Sequence, residues 1–418
     1  MGAGFRPFQG LIKYPWTVQE KLENSLSRFI TWGLVGVTLA VTPLWSLDPI
    51  NPVKVLFLVP TAFMCVGLIG ANLKSIQWSK YKLVLTITFL FVIWQVLVLF
   101  FSGAGIYQQL FGSTGRNNGF ITYLAFSCIF LGTVVATNTQ LLERFMVVVY
   151  IVGAISLAYG VIQAIGADPF NWVNPYSPVF GFLGNPNFQS AFMGMIAVVS
   201  FTMALNQELK SSIKVGLALA GVASLIVVYE TLSKQGFLNF TAGLGAVVIL
   251  WLFMTKRKTL GLAASGLGAV GAIFTFLGLI NTGPLANILY KGSLEARGYY
   301  WRAGLKMLTE HPFFGVGMDG FGNWYARVRP SDYAAKGFFS WSNSAHNVFL
   351  DIGSSGGFIL LAIYLAIFVL VVIAIIKIVK RSEGFDVYFA ALVGAWVAYQ
   401  AQAFISVNQI GLAIWAWV

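Results

Sequence analysis

Charge is what this chain has least of. Of its 418 residues only 10% are Asp, Glu, Lys or Arg, and the acids number 14. A soluble domain carries about 25% charged residues, so too few polar side chains exist to coat a globule, and a soluble enzyme is excluded. Cysteine is nearly absent: Cys65 and Cys128 both fall in apolar runs, which leaves no disulfide framework and no CxxC metal pattern. There are two histidines, and Glu295, Glu310, Asp319 and Asp332 are scattered without a D-x-D pair. Hard cations need converging oxygens, so no metal and no other cofactor is expected. The chain lacks a Walker loop and a Rossmann fingerprint, which removes nucleotide hydrolysis and dinucleotide chemistry. The 44 glycines show no G-X-Y period, which removes collagen.

What is plentiful is apolar surface: 58% hydrophobic and 16% aromatic residues, with a mean hydropathy of +0.78. That composition excludes disorder and defines an all-α polytopic membrane protein. A span needs about 20 mainly apolar residues. Such runs lie near 29–47, 54–73, 82–101, 119–137, 146–166, 187–206, 213–232, 236–254, 259–280, 346–378 and 387–408, and an incomplete twelfth starts near 409. The fold expected is therefore about 11–12 transmembrane helices. The run from His346 to Lys377 is too long for one untilted span, and Gly353-Ser354-Ser355-Gly356-Gly357 is where a break is tolerated. No cleaved signal peptide is legible in the first 27 residues. Trp16 to Leu26 reads either as an amphipathic surface helix or as a solvated tail.

The net charge of +12 is the positive-inside signal of a membrane protein rather than a nucleic-acid footprint. With the N-terminus inside, 16 Lys and Arg fall in the inner loops, among them Lys74, Lys80, Lys82 and Lys256-Arg257-Lys258. The short outer loops hold 3, Lys54, Arg116 and Lys234. The long segment 281–345 then lies outside. It divides the chain into an N-terminal membrane bundle of about nine spans (1–280), an extracytoplasmic loop (281–345) and C-terminal membrane helices (346–418). Trp301, Trp324, Trp341, Tyr299, Tyr300 and Tyr325 make that loop too aromatic for disorder. Ser293 to Leu308 is expected to form a helix closed by His311-Pro312, giving a partly helical cap.

Chemistry is expected where four outer segments converge: Gly115-Arg116-Asn117-Asn118-Gly119, Gly184-Asn185-Pro186-Asn187, Ser233-Lys234-Gln235-Gly236, and Ser344-Ala345-His346-Asn347. Arg116, Lys234, Arg297, Arg302, Arg327 and Arg329 lie outside against the charge trend. An Arg fork suits phosphate oxygens; headgroup contact by a snorkelling side chain is the plainer role for any one of them. Lys234 follows Glu230 by four residues, so the two also suit a helical ion pair. His311 belongs to a turn. His346 opens a membrane helix, whose N-terminus disfavours the imidazolium, so a neutral ring acting as a general base is chemically reasonable. On a regular helix Asp351 cannot reach His346; it shares a stripe with Asn347 and is expected to hold that amide or a cation.

These motifs resemble the O-antigen ligase and polymerase superfamily. Arg297-x3-Trp301, His311-Pro312-x2-Gly315-x-Gly317 and His346-Asn347-x9-Gly357 follow its order, and the three earlier outer segments resemble its earlier outer-face motifs. Leu360 stands where the family has Gly, Thr or Tyr, and Lys234-Gln235 where it usually has Arg. The resemblance implies a GT-C-type, metal-independent, inverting glycosyltransferase of the bacterial inner membrane, with its site on the periplasmic face. The donor would be an undecaprenyl-diphosphate-linked glycan, and the acceptor a glycan, lipid A-core or protein hydroxyl. His346 would be the base, and Arg297 and Lys234 would hold the diphosphate. Arg116, Asn187, Asn347, Arg302 and Trp301 complete the expected donor and glycan contacts. Membrane lipids are the other expected partner, and nucleic acid is not. A secondary transporter of a small solute is the rival class, and a non-catalytic scaffold or flippase the third.

Overall fold

The computed structural model describes residues 17–42, 48–136, 139–172, 177–335 and 341–418. Among them there is no strand. Seventeen α-helices run α1 (Val18–Leu39), α2 (Asn51–Ala71), α3 (Lys82–Phe101), α4 (Ile106–Phe111), α5 (Phe120–Val135), α6 (Thr139–Ala164), α7 (Pro186–Ala204), α8 (Ser211–Glu230), α9 (Gln235–Met254) and α10 (Lys258–Leu279). They continue as α11 (Ala286–Leu289), α12 (Ser293–Glu310), α13 (Phe321–Val328), α14 (Asp332–Ala335), α15 (Val348–Arg381), α16 (Val387–Ile405) and α17 (Ile410–Trp417). Nine helices among the described residues are long and apolar enough to cross a membrane. The shorter apolar α5 and the 22-residue α1 pack beside α2, so the bundle is built as the hydropathy pattern requires.

Two local details differ from the sequence reading. The segment up to Leu26 is not a separate surface helix; Trp16 lies outside the described residues, and from Val18 the chain forms one helix through Leu39. Thr17 and Glu20 form a reciprocal capping box that starts it, and such a cap contributes about 1 kcal/mol. The end of the expected run at 43–47 lies outside the described residues. Lys54 is not an outer-loop cation. It is buried in the first turn of α2, where its Nζ donates to the Thr38 and Ala40 carbonyls at 2.7 and 3.1 Å. These carbonyls end α1, so the ammonium satisfies acceptors that the helix leaves open.

Hydrogen bonds sort the connections into two ends. At one, Arg144 of α6 reaches Asn24 of α1, Asn206 meets Tyr388, and Lys256 meets the Ser382 carbonyl. At the other, the loops 112–119 and 343–347 gather with residues 404–409, and the loops 184–187 and 231–236 join each other. α7 is the most buried of the apolar helices, enclosed by α6, α8, α9 and α16, whereas α10 lies at the periphery. The 281–335 stretch carries its own small aromatic core, in which Tyr300 packs edge-on against Tyr325 and shares a 3.1 Å hydroxyl contact with Tyr333.

α15 is broken at Gly357, whose φ of 76° and ψ of −177° are non-helical. A first half-helix, buried from Ile352 to Gly357, precedes a second that runs to Arg381. Severing a membrane helix frees backbone groups that lipid cannot satisfy. The His311–Gly317 turn supplies the partners: Val316 N–H donates to Ser354 O at 2.8 Å and Gly317 N–H to Ser355 O at 3.1 Å. Pro312 O accepts from Phe358 N–H at 2.8 Å, and the Trp94 indole donates to Gly356 O at 2.9 Å. A Cβ at Gly357 would stand 2.1 Å from Phe313 O, and one at Gly315 2.3 Å from Ser354 O. The His-Pro-x2-Gly-x-Gly motif and Gly357 are thus two halves of one backbone joint.

Gly357→Ala is therefore expected to cost about 2–4 kcal/mol or to prevent folding, while Gly67→Ala, with open space around its Cβ, leaves the thermal midpoint in detergent unchanged or higher. Equal midpoints for the two variants would contradict the joint.

Candidate functional site at the loop end of the bundle

The site begins with how α15 starts. Asn347 is its N-cap: the amide Oδ1 accepts from Leu350 N–H at 3.1 Å, and Nδ2 donates to Phe404 O at 2.9 Å. Both ends of the Asn347 amide are spent on backbone, so this side chain anchors the helix start to α16. His346, one residue earlier, has a φ of 53°, a conformation uncommon for a residue with a side chain. Its N–H donates to Ser344 Oγ at 2.9 Å. Asp351 accepts from Ala345 N–H at 2.6 Å, so its partner is the backbone beside His346, because the left-handed turn folds residues 344–346 over the first turn of α15.

His346 is half-buried, and its ring lies against Tyr300, with ring centroids 5.5 Å apart. Burial and the positive charges of Arg297 and Arg116 hold its pKa well below the usual histidine value. At neutral pH the imidazole is uncharged and able to accept a proton.

Arg297 is 5% exposed on α12, and its Nη1 donates to Ile405 O at the end of α16. Burial lowers its pKa to about 10, which leaves it charged at neutral pH. One carbonyl engages a single N–H of a five-donor fork. Next to it on α12, Trp301 is buried edge-on against Phe404, and its indole N–H has no hydrogen-bond partner among the described residues.

Arg116 sits in the loop before α5, where its Nε donates to Asn343 Oδ1 at 2.8 Å. Asn51 Nδ2 holds Gly115 O at 2.8 Å, and Asn118 Nδ2 reaches Asn408 O at 2.7 Å. Beside Arg116 is a cavity of about 20 Å³, lined among others by Asp319, Asp351, Asn118, Ser344 and Asn408. That is room for about one water. Asp319 accepts from Ser113 N–H at 2.6 Å. Burial raises its pKa to about 7, opposed by the Ser113 and Asn118 N–H groups and by Arg116. Of the acids that look scattered in sequence, Asp319 is brought to one cavity with Asp351, both more than 200 residues from Arg116.

The remaining expected residues separate into two places. Asn187 Oδ1 accepts from Ser233 Oγ at 2.8 Å, and Ser190 Oγ takes Gly236 N–H at 2.8 Å, which joins the second and third outer segments. Asn185 caps α7, with Pro186 as its first residue. Lys234 is exposed at the start of α9. It forms no ion pair with Glu230: α8 ends at Glu230 and the left-handed Leu232 intervenes, so helical spacing is lost. Arg302 lies outside the His346 cluster, exposed and paired with Asp332 at 3.0 Å over the Tyr299 ring. Among the described residues no three His, Cys, Asp or Glu side chains converge to hold a metal ion. Sequence reasoning missed Tyr300 and Asn343 as neighbours of the site; Asn343 was legible only as the residue three before His346.

The fold and this cationic, histidine-bearing end define a multi-pass membrane protein with an enzyme-like site. Residues 219–365 match the family model of the O-antigen ligases. That stretch, which holds Lys234, Arg297, His346 and the Gly357 break, is similar to an O-antigen ligase domain. A search of the curated proteins finds no match.

The raised Asp319 pKa has a thermodynamic consequence. The folded protein keeps a proton that the unfolded chain releases near its ordinary value of 3.8, so this group's contribution falls as pH rises from about 4 to 7 and is level above. Relative to wild type, Asp319→Asn is expected to gain thermal midpoint progressively from pH 5 to about pH 7 and to hold level above. A difference that does not vary with pH would contradict the shift.

Proposed function

We propose that the protein transfers an oligo- or polysaccharide from undecaprenyl diphosphate to an acceptor hydroxyl, with inversion and without a metal. The observation that carries this reading is the neutral His346 imidazole under the charges of Arg297 and Arg116, inside the stretch that matches O-antigen ligase. The acceptor oxygen attacks the anomeric carbon as its proton passes to His346. The bond from that carbon to the phosphate oxygen breaks, and its electron pair leaves with the diphosphate. Arg297, with four N–H donors beyond the one on Ile405 O, stabilises that charge as it develops. Arg116 adds a second cation. Lys234 and Asn187 border the donor's path from the membrane, and Asn347 holds the base in place. Trp301 and the rim residue Arg302 contact the glycan.

The positive-inside count supports a cytoplasmic N-terminus in the bacterial inner membrane, with this end on the periplasmic side. There a preactivated lipid diphosphate is the sensible energy source. The acceptor class, whether growing glycan, lipid A-core or protein, follows from the product. The transporter reading draws on the breaks at Gly357 and at 406–409, since broken helices frame transporter sites. Here the first break is capped by protein backbone, and the cavity beside it admits about one water rather than a solute.

The test uses purified protein with an undecaprenyl-diphosphate oligosaccharide, an acceptor and EDTA, and measures free undecaprenyl diphosphate. His346→Ala is expected to lose about 100-fold or more in turnover; release that persists in the variant removes His346 as base. Arg297→Lys is expected to be nearly as damaging as Arg297→Ala, because a point charge does not reproduce the fork, and near-normal turnover of the Lys variant would contradict that role. Because the ring stays neutral, kcat/KM is expected to hold level from pH 8 down through 6.5, with its acid limb below. An acid limb centred at 6.5 or above would mean an unshifted base.

A further inference from the structure

The half-helix that begins α15 holds a carboxylate whose position has no part in the reaction as described. Asp351 lies one turn into the helix, and its Oδ1 accepts from Ala345 N–H at 2.6 Å, while Asp351 N–H closes the first helical bond onto Asn347 O at 2.8 Å. The residue between those two contacts is His346, with its left-handed backbone. Such a conformation persists only where its surroundings over-determine it. Here Ser344 takes the His346 N–H and Asn347 is fixed to Leu350 and Phe404, which leaves Ala345 N–H as the last backbone donor of the turn, and Asp351 takes it together with the Ser344 hydroxyl. The acid faces the cavity that Arg116 and Asp319 also line, so a half-buried cation offsets its charge.

We propose that Asp351 is a positioning residue for the base: by accepting the Ala345 N–H it locks the 344–346 turn and so aims the His346 imidazole at the acceptor hydroxyl. It acts through backbone geometry, not by exchanging a proton with the ring. This rests on the reading of His346 as general base. What the role needs is an acceptor oxygen at one place, not a negative charge, so isosteric and isoelectric substitutions separate in opposite directions. Asp351→Asn keeps the oxygen and loses the charge; Asp351→Glu keeps the charge and moves the oxygen by a methylene.

The experiment measures kcat and KM for the lipid-linked donor in both variants, together with carbethoxylation of His346 by diethylpyrocarbonate. Peptide mass spectrometry reads that modification, with His311 as the internal reference. The expected result is kcat near wild type for Asp351→Asn. For Asp351→Glu, kcat falls about 100-fold at unchanged KM and His346 carbethoxylation changes severalfold. The reverse order, Glu active and Asn inactive with His346 reactivity at the wild-type level in both, would overturn the proposal and make the charge the functional feature. If wild-type protein turns over no lipid-linked donor, it is the reading of the function that fails; the reactivity of His346 in the two variants still decides the positioning.

Discussion

A membrane helix cut in two must find partners for the backbone groups at the cut, and the rest of the site depends on how this chain does so at Gly357. An unpaired amide or carbonyl at bilayer depth costs several kcal/mol. The His311–Gly317 turn pays that cost by donating to Ser354 and Ser355 and accepting from Phe358. The short half-helix this creates ends at the joint and begins at Asn347, so fixing one end also fixes the other. Asn347 then reaches Phe404, next to the Ile405 carbonyl that holds Arg297. A second interruption, between α16 and α17, offers the carbonyls of 404–408 to Arg297, Asn347 and Asn118. Two interrupted helices thereby hold His346 and two guanidiniums at one end of the bundle.

Electrostatics at that end is arranged around few charges. Arg116 is offset by Asp319 and Asp351 across a cavity of about 20 Å³, whereas Arg297 has a carbonyl and the Tyr300 ring nearby. The two cations act together on His346 and keep it neutral. On the proposed reading, this is the balance a proton-accepting base beside an anionic leaving group requires: the cations would favour the departing charge and also keep the base ready. Lys234 is outside the balance, exposed at the start of α9.

Much of this was legible in the chain because bilayer physics is blunt. Apolar runs of span length put α3 at 82–101 and α9 near 236–254, within a residue of the observed ends. The five small residues from Gly353 to Gly357 marked the break, and His311-Pro312 the end of α12. What stayed hidden depends on contacts between distant residues or on the hand of a single turn. Lys54 read as a loop cation because its carbonyl partners lie across a connection. Glu230 and Lys234 read as a helical pair because Leu232's left-handed backbone leaves no mark in residue type. Asp319 looked isolated because Arg116 is far away in sequence. Asp351, expected to hold the Asn347 amide or a cation, has Arg116 across the cavity, but its backbone donor stayed hidden because Ala345 lies before the helix, on a turn that helical geometry does not describe.

The most direct test of the central claim, that the broken helix sets His346 opposite a guanidinium-held leaving group, is a cryo-electron microscopy map of the full chain with an undecaprenyl-diphosphate oligosaccharide bound. The account predicts diphosphate density in contact with Arg297, and the anomeric carbon between it and the His346 ring. Diphosphate seated instead on Lys234 or on Arg302, with His346 facing no sugar, would contradict it.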